Sequence, residues 1–292
     1  MHLLTNGVTV DLNTITRIVP AHHRDDLSAL SEQVAPLAGG SWLFSEPQDH
    51  LTSLVDLMSF GWPSLTVTDD GLEVASTCTL AELAAMPDDH GWPAHPLFYQ
   101  CCTALLGSFK VWNVATAGGN ICSALPAGPM TSLFSSLDAE ALIWRAGGID
   151  ERMPVAEFVT GNGTTVLRPG DVMRSLHVPL SSLQARTAYR KIALSPLGRS
   201  GAVVVGRLDP DESFTLTVSG ATVHPEQLRY RSIPSAESLE RDVAAIPSWF
   251  TDPHGAADWR RAVSGLLAIE VRDELASPAS AGDSASIPEV RS

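Results

Sequence analysis

Between His90 and Leu137 the chain carries a single Lys, Arg, Asp or Glu, Lys110, although these residues make up 18% of the whole. The same stretch is punctuated by Gly91, Pro93, Pro96, Gly107, Gly118, Gly119, Pro126, Gly128 and Pro129. A segment without charge belongs in the interior, and one so rich in breakers cannot be a long regular element. Buried irregular backbone needs partners for its N–H and C=O groups, and proteins accept it chiefly where it wraps a ligand. An ordinary buried helix over residues 96–109 accounts for the first half, but residues 111–128 are harder to explain that way. Residues 111–137 carry no charge over a length that would cross a bilayer. Asn113, Asn120 and the glycines and prolines would leave unsatisfied polar groups in lipid, so the run reads as buried loop structure.

Composition narrows the partners. With 33 acidic against 19 basic residues in 292, the net charge is −14, and Lys110 and Lys191 are the only lysines. No cationic face exists for a phosphate backbone or an anionic membrane, which excludes nucleic-acid and membrane-surface binding as expectations. The opening Met1-His2-Leu3-Leu4-Thr5-Asn6 lacks a basic start followed by an apolar stretch, which predicts a cytoplasmic protein. Cys78, Cys101, Cys102 and Cys122 form no C-x-x-C pair, and His22, His23, His90, His95 and His254 show no ligand spacing, so no metal site is expected. No nucleophile elbow or P-loop motif is present, and no catalytic side chain is assigned.

The length suggests about two domains. Residues 14–19 and 50–57 read as strands and 24–35 as a helix with Leu27, Leu30 and Val34 on one face, giving a small βαβ unit. Residues 64–68 and 72–76 form a hairpin through Asp69-Asp70-Gly71. Thr79-Leu80-Ala81-Glu82 is a capping box opening a helix through Met86. Strands follow at 140–144 and 166–180, flanking a helix near 155–159. Beyond Ser181 come antiparallel strands at 188–194, 202–208 and 214–223, then helices at 235–246 and from Asp252-Pro253 to Leu275. Strands followed by helices suggest a separate α+β domain, and residues 277–292 read as a disordered tail.

Three segments, in order, carry a family likeness: Leu37-Ala38-Gly39-Gly40-Ser41; Val111-Trp112-Asn113-Val114-Ala115-Thr116-Ala117-Gly118-Gly119-Asn120-Ile121; and Leu137-Asp138-Ala139-Glu140 with Glu157-Phe158 through Arg168-Pro169-Gly170-Asp171. Together with Ala188-Tyr189-Arg190-Lys191 and the stretch from His254 to Arg261, they make the chain resemble the FAD-binding medium subunit of molybdenum hydroxylases over nearly its whole length to about Leu275. That family includes the medium subunit of aerobic carbon monoxide dehydrogenase and the flavin domain of xanthine dehydrogenase. The resemblance implies an α+β chain, with a two-lobed FAD-binding fold of the vanillyl-alcohol-oxidase type over residues 1–180 (lobes 1–57 and 58–180) and a C-terminal α+β domain over 181–276.

It also implies a cofactor site. Leu37, Ala38, Gly39, Gly40, Ser41, Trp42 and Leu43 on one loop, and Ala115, Thr116, Gly118, Gly119, Asn120 and Ile121 on another, would embrace the FAD pyrophosphate. Glycine-rich loops of this kind supply backbone N–H groups where cations are scarce. Leu167, on a strand, would pack against the isoalloxazine, and Lys191 would lie near the flavin edge, with an ordinary surface lysine as the competing reading. Trp42, Trp112 and Pro129 stand where the family usually has Asp, Arg and Asp, and Leu194-Ser195-Pro196 where it has an Arg. The implied role is an electron-transfer subunit that takes electrons from a partner's iron–sulfur clusters to an acceptor through non-covalently bound FAD. Its implied partners are a molybdopterin large subunit and a [2Fe-2S] small subunit. A stand-alone flavin oxidoreductase and a scaffold that has lost its flavin are the alternatives. Trp92, Phe98 and Trp112 are candidates for an apolar docking patch, with a wholly interior span as the competing reading.

Overall fold

The computed structural model describes residues 13–105, 107–195 and 198–278; residues 1–12 and the tail from 279, on which the leader and disorder readings rest, lie outside the described residues. Three short parallel strands come first: β1 (Arg17–Pro20), β2 (Val34–Leu37) and β3 (Ser53–Asp56), with β3 in the middle. The helix expected over residues 24–35 does not form. Asp26 folds back to accept bonds from the His22 and His23 N–H groups, both at 2.8 Å, which tightens Arg24–Ala29 into a 3-10 turn. The chain then reverses through a bridge between Ser31 and Val34 into β2. Pro36 is compatible with that edge strand and would break a helix.

β4 (Leu65–Thr68) and β5 (Gly71–Ala75) form the expected hairpin, with Thr68 opposite Gly71. Thr79 caps α1 (Leu80–Ala84) through reciprocal bonds with Glu82. The charge-poor stretch breaks into α2 (Pro96–Ala104), α3 (Phe109–Trp112), α4 (Ala117–Cys122) and α5 (Pro129–Ser136), and every residue of α5 is buried. Trp92 and Phe98 are 7% and 1% exposed, so they belong to the core and not to a docking patch.

β6 (Glu140–Trp144), β7 (Asp150–Pro154), α6 (Val155–Phe158), the small hairpin of β8 (Val159–Gly161) and β9 (Thr164–Thr165), and β10 (Val172–Pro179) come next. Five of these strands make an antiparallel sheet of order β4-β5-β10-β6-β7. The strand expected from residue 166 starts only at Val172. Residues 166–171 are a turn, with Gly170 at φ 89° and the Asp171 carboxylate accepting the Arg168 N–H at 2.8 Å.

After α7 (Leu180–Leu183), β11 (Arg186–Ile192), β12 (Ala202–Leu208), β13 (Phe214–Ser219) and β14 (Glu226–Tyr230) form an antiparallel meander. Helices α8 (Ala236–Ala244) and α9 (Ala257–Ala276) follow. Strand alternation splits β12 between two cores: Val203 and Val205 join the large core with α2 and α5, Ala202 and Val204 the core under α8 and α9. Gly206 allows α9 to approach, since a Cβ there would sit 2.3 Å from Val271 Cγ1. Arg207, 4% exposed, ties the meander to α5 by donating to the Ser136 carbonyl at 2.9 Å and to the Asp138 carboxylate at 2.5 Å.

Candidate functional site

A cavity of about 560 Å³ lies between the parallel sheet and the five-stranded sheet. Its walls are the loop from Leu37 to Leu43 and Leu57 on one side, and Ser76, the segment around α4, Leu167 and residues 171–173 on the other. That volume is within the usual range for a cofactor or drug-sized ligand. Of the sequence-predicted residues, Leu37, Ala38, Gly39, Gly40, Ser41, Trp42, Leu43, Ala115, Thr116, Gly118, Gly119, Asn120 and Leu167 line it. Two do not. Ile121 is wholly buried in the large core, and Lys191, exposed on β11, lines a separate cavity of about 390 Å³ with Ser195 and Ser200.

The first loop is built for close approach. A Cβ on Gly39 would fall 1.5 Å from the Val114 carbonyl oxygen, so only glycine lets this loop lie against the segment leading into α4. Gly40 takes φ 67°, and its carbonyl accepts the Phe44 N–H at 2.9 Å, closing the turn. Among the described residues, no acceptor pairs with the backbone N–H groups from Gly39 to Leu43. A run of unpaired N–H groups on a cavity wall is an anion-binding concavity.

The second loop does something different. Ala117 and Gly118 donate to the carbonyls of Cys78 and Ser76, at 2.8 and 2.9 Å, and Gly119 donates to Thr116 Oγ1 at 3.1 Å. These N–H groups at the start of α4 already have protein acceptors, unlike those of the first loop. Gly118 is needed because a Cβ would meet Ser76 Cβ at 2.4 Å, whereas a Cβ on Gly119 would touch only the Thr116 hydroxyl. Neither Gly39 nor Gly119 has a left-handed φ; close approach is what demands glycine at Gly39. Asn120 Oδ1 accepts the Met130 N–H at 3.0 Å, which orients the amide and leaves its NH2 group as a donor at the cavity. Pro129 is buried at the first turn of α5.

Sequence reasoning missed Asp171 as a cavity residue, although it closes the quoted Arg168-Pro169-Gly170-Asp171 run. Its carboxylate accepts from the Ala146 N–H at 2.9 Å, the Arg168 N–H at 2.8 Å and Arg145 at 2.7 Å. Burial alone would raise its pKa, but these bonds outweigh it and hold the carboxyl below its ordinary value. Asp171 is the one carboxylate among the lining residues, which include no Lys or Arg. Ser123 and Cys122 also line the cavity; the spacing after Asn120 on the same short helix is the signal that could have found them. Burial pushes the Cys122 thiol up to about 12, so it stays protonated near neutral pH and is a poor nucleophile for covalent attachment. Among the described residues, no group of His, Cys, Asp and Glu is arranged to hold a metal ion, and no helix is long and apolar enough to cross a membrane.

Residues 14–181 match the family model described as the FAD binding domain in molybdopterin dehydrogenase. The chain belongs to this family. FAD is its cofactor, and its class is that of FAD-dependent oxidoreductases. Similar members include the glyceraldehyde dehydrogenase medium chain of Sulfolobus acidocaldarius, 24% identical over 194 residues that cover 62% of this chain and 68% of that one. The putative xanthine dehydrogenase FAD-binding subunit of Escherichia coli is 24% identical over 249 residues, covering 77% and 84%. Against xanthine dehydrogenase 1 of Arabidopsis thaliana the match is 29% over 124 residues, 40% of this chain and 9% of that longer protein. The fold is shared with quinoline 2-oxidoreductase from Pseudomonas putida 86, TM-score 0.76 at 16% identity over 91% of this chain and 98% of that one. It is also shared with carbon monoxide dehydrogenase from Oligotropha carboxidovorans, TM-score 0.75 at 19% identity over 88% and 97%.

The cavity fits the cofactor. A pyrophosphate in a site without cations needs backbone donors, and the loop from Gly39 to Leu43 has them unpaired. Apolar Leu57, Leu167, Val172 and Met173 and the half-exposed Trp42 offer surface to flat rings.

Proposed function

We propose that this chain is the FAD-carrying electron-transfer subunit of a molybdenum hydroxylase complex, receiving electrons from iron–sulfur clusters on a small subunit and passing them to an acceptor. Substrate oxidation would take place on a molybdopterin large subunit. The observation that carries the reading is the cation-free cavity walled by unpaired N–H groups from Gly39 to Leu43, in a chain that belongs to a flavin family. Bound FAD supplies the redox chemistry. The protein's residues bind and orient it: the first loop holds the anionic centre, Asn120 donates from its oriented amide, and Asp171 fixes the turn that presents Leu167.

In this reading residues 1–180 are a two-lobed FAD domain of the vanillyl-alcohol-oxidase type, with lobes 1–57 and 58–180. Residues 181–276 are a C-terminal α+β domain, and the complex works in the cytoplasm. The fold shared with carbon monoxide dehydrogenase over 88% of the chain supports the assignment. Trp42, 46% exposed on the cavity wall, favours one second reading: a flavin pocket reshaped for a stand-alone oxidoreductase. Purifying the chain alone and with the products of its neighbouring genes separates the two. Bleaching of the flavin absorbance by an organic substrate only when a molybdopterin subunit and a cluster subunit co-purify supports the complex. Bleaching and turnover by the chain alone overturns it.

A further inference from the structure

Behind the cavity, away from its lining, lies a stack of aromatic rings and guanidinium groups with no role in the site so far described. Trp62 stacks on Phe60 with ring centroids 4.4 Å apart and planes 16° from parallel, and it meets Trp144 edge-on at 5.5 Å. The Arg174 guanidinium lies 4.1 Å from the Trp62 ring centroid and 5.7 Å from that of Trp144. Arg24 also covers Trp144, at 4.9 Å, while donating to the Asp150 carboxylate at 2.5 Å and the Ile149 carbonyl at 2.9 Å. Arg174 itself has no ion pair or side-chain hydrogen bond among the described residues. It lies over two aromatic faces, and burial lowers its pKa from the usual arginine value against the opposing pull of the Glu73 charge.

The members come from both sides of the cleft. Arg24 and Phe60 belong to the turns that follow β1 and β3, Trp62 to the single strand of chain that joins the parallel sheet to the five-stranded sheet, and Trp144, Asp150 and Arg174 to the latter. Phe60 and Trp144 pack on a small core that contains Leu57 and Val172, and those two residues line opposite walls of the cavity. Arg174 follows directly on Met173, another wall residue. The stack thus adjoins residues of both walls and spans the connection between the two sheets. Flat rings and a planar cation resist sliding and rotation more than aliphatic contacts of the same area, because their attraction depends on orientation.

We propose that the Arg174, Trp62, Trp144 and Arg24 stack is a clasp that sets the opening of the cleft, so that Trp62 and Arg174 are positioning residues for FAD although neither lines the cavity. The inference rests on the cavity being the FAD site. It is tested on the full chain stripped of flavin, by titrating FAD and following flavin fluorescence, with melting of the flavin-free protein measured in parallel. Trp62→Ala and Arg174→Met weaken FAD binding by about tenfold, the scale of one desolvated cation–aromatic contact, while Trp62→Phe and Arg174→Lys restore most of it. Arg174→Met is the more conservative in volume and keeps the test open if Trp62→Ala does not fold. FAD affinity unchanged in Arg174→Met, or a lowered melting temperature with unchanged affinity, overturns the clasp. A wild-type chain that fails to bind FAD contradicts the functional assignment instead.

Discussion

Replacing Gly39 with Ala probes the anion loop without adding or removing a polar group. The new Cβ would sit 1.5 Å from the Val114 carbonyl oxygen, 2.4 Å from its carbon and 3.3 Å from the Ala115 nitrogen, all backbone atoms that cannot rotate away. Gly39 does not occupy the left-handed region, so the effect is one of space and not of φ. The loop must retreat by about 2 Å to reach van der Waals distance. Overpacking of this kind costs about 1–3 kcal/mol. If the loop relieves it by leaving its bound position, FAD affinity falls by roughly tenfold to a hundredfold at 1.4 kcal/mol per decade. Fluorescence titration of the flavin-free chain gives the affinity, and Gly265→Ala is the control. A Cβ at Gly265, on α9, meets nothing within 4 Å, so that variant keeps wild-type affinity and gains slightly in melting temperature. Gly39→Ala binding FAD within twofold of wild type, with unchanged melting, would refute the close-approach argument.

Other outcomes follow from the same geometry. Asp171→Asn removes the charge that accepts from Arg145 and two backbone N–H groups, and it lowers stability by about 3 kcal/mol, as expected for a broken buried pair, with loss of FAD; a thermal melt checks it. Asp138 is desolvated, which raises its pKa, but bonds from Arg229 and Arg207 prevail and bring it down to about 2. A lowered carboxylate pKa stabilises the fold above the unfolded-state value and loses that contribution as pH falls through the folded value. Acid titration should therefore show roughly 2 kcal/mol vanishing between about pH 4 and pH 2, and Asp138→Asn should flatten that loss. Thr79→Ala deletes the cap of α1 and costs about 1 kcal/mol in a denaturant melt.

Local chemistry made part of the fold readable. The Asp70-Gly71 turn, the Thr79 and Glu82 pair and the Val-rich β12 each declare themselves within a few residues, and each is where its pattern puts it. Where periodicity was ambiguous, distant partners decided. Leu27, Leu30 and Val34 suit a helical stripe, but Val34 pairs with Ser53 in a parallel strand that no local signal announces. Glu226–Tyr230 is polar because it is an edge strand, so alternation alone does not reveal it. At the site, the glycine loops were legible as loops, yet their division of labour was not. That depends on Ser76 and Cys78, far away in sequence, which take the N–H groups of α4. Lys191 stood out as one of two lysines, yet it lines a separate cavity.

The most direct test of the account is the flavin itself. The chain, purified intact and then denatured in acid, is predicted to release about one equivalent of FAD into the supernatant, the one-site stoichiometry expected of non-covalent binding in a single cavity. Its release should be abolished or strongly reduced in Gly39→Ala. A colourless chain that takes up no FAD on titration, or yellow colour retained in the acid pellet, would contradict it.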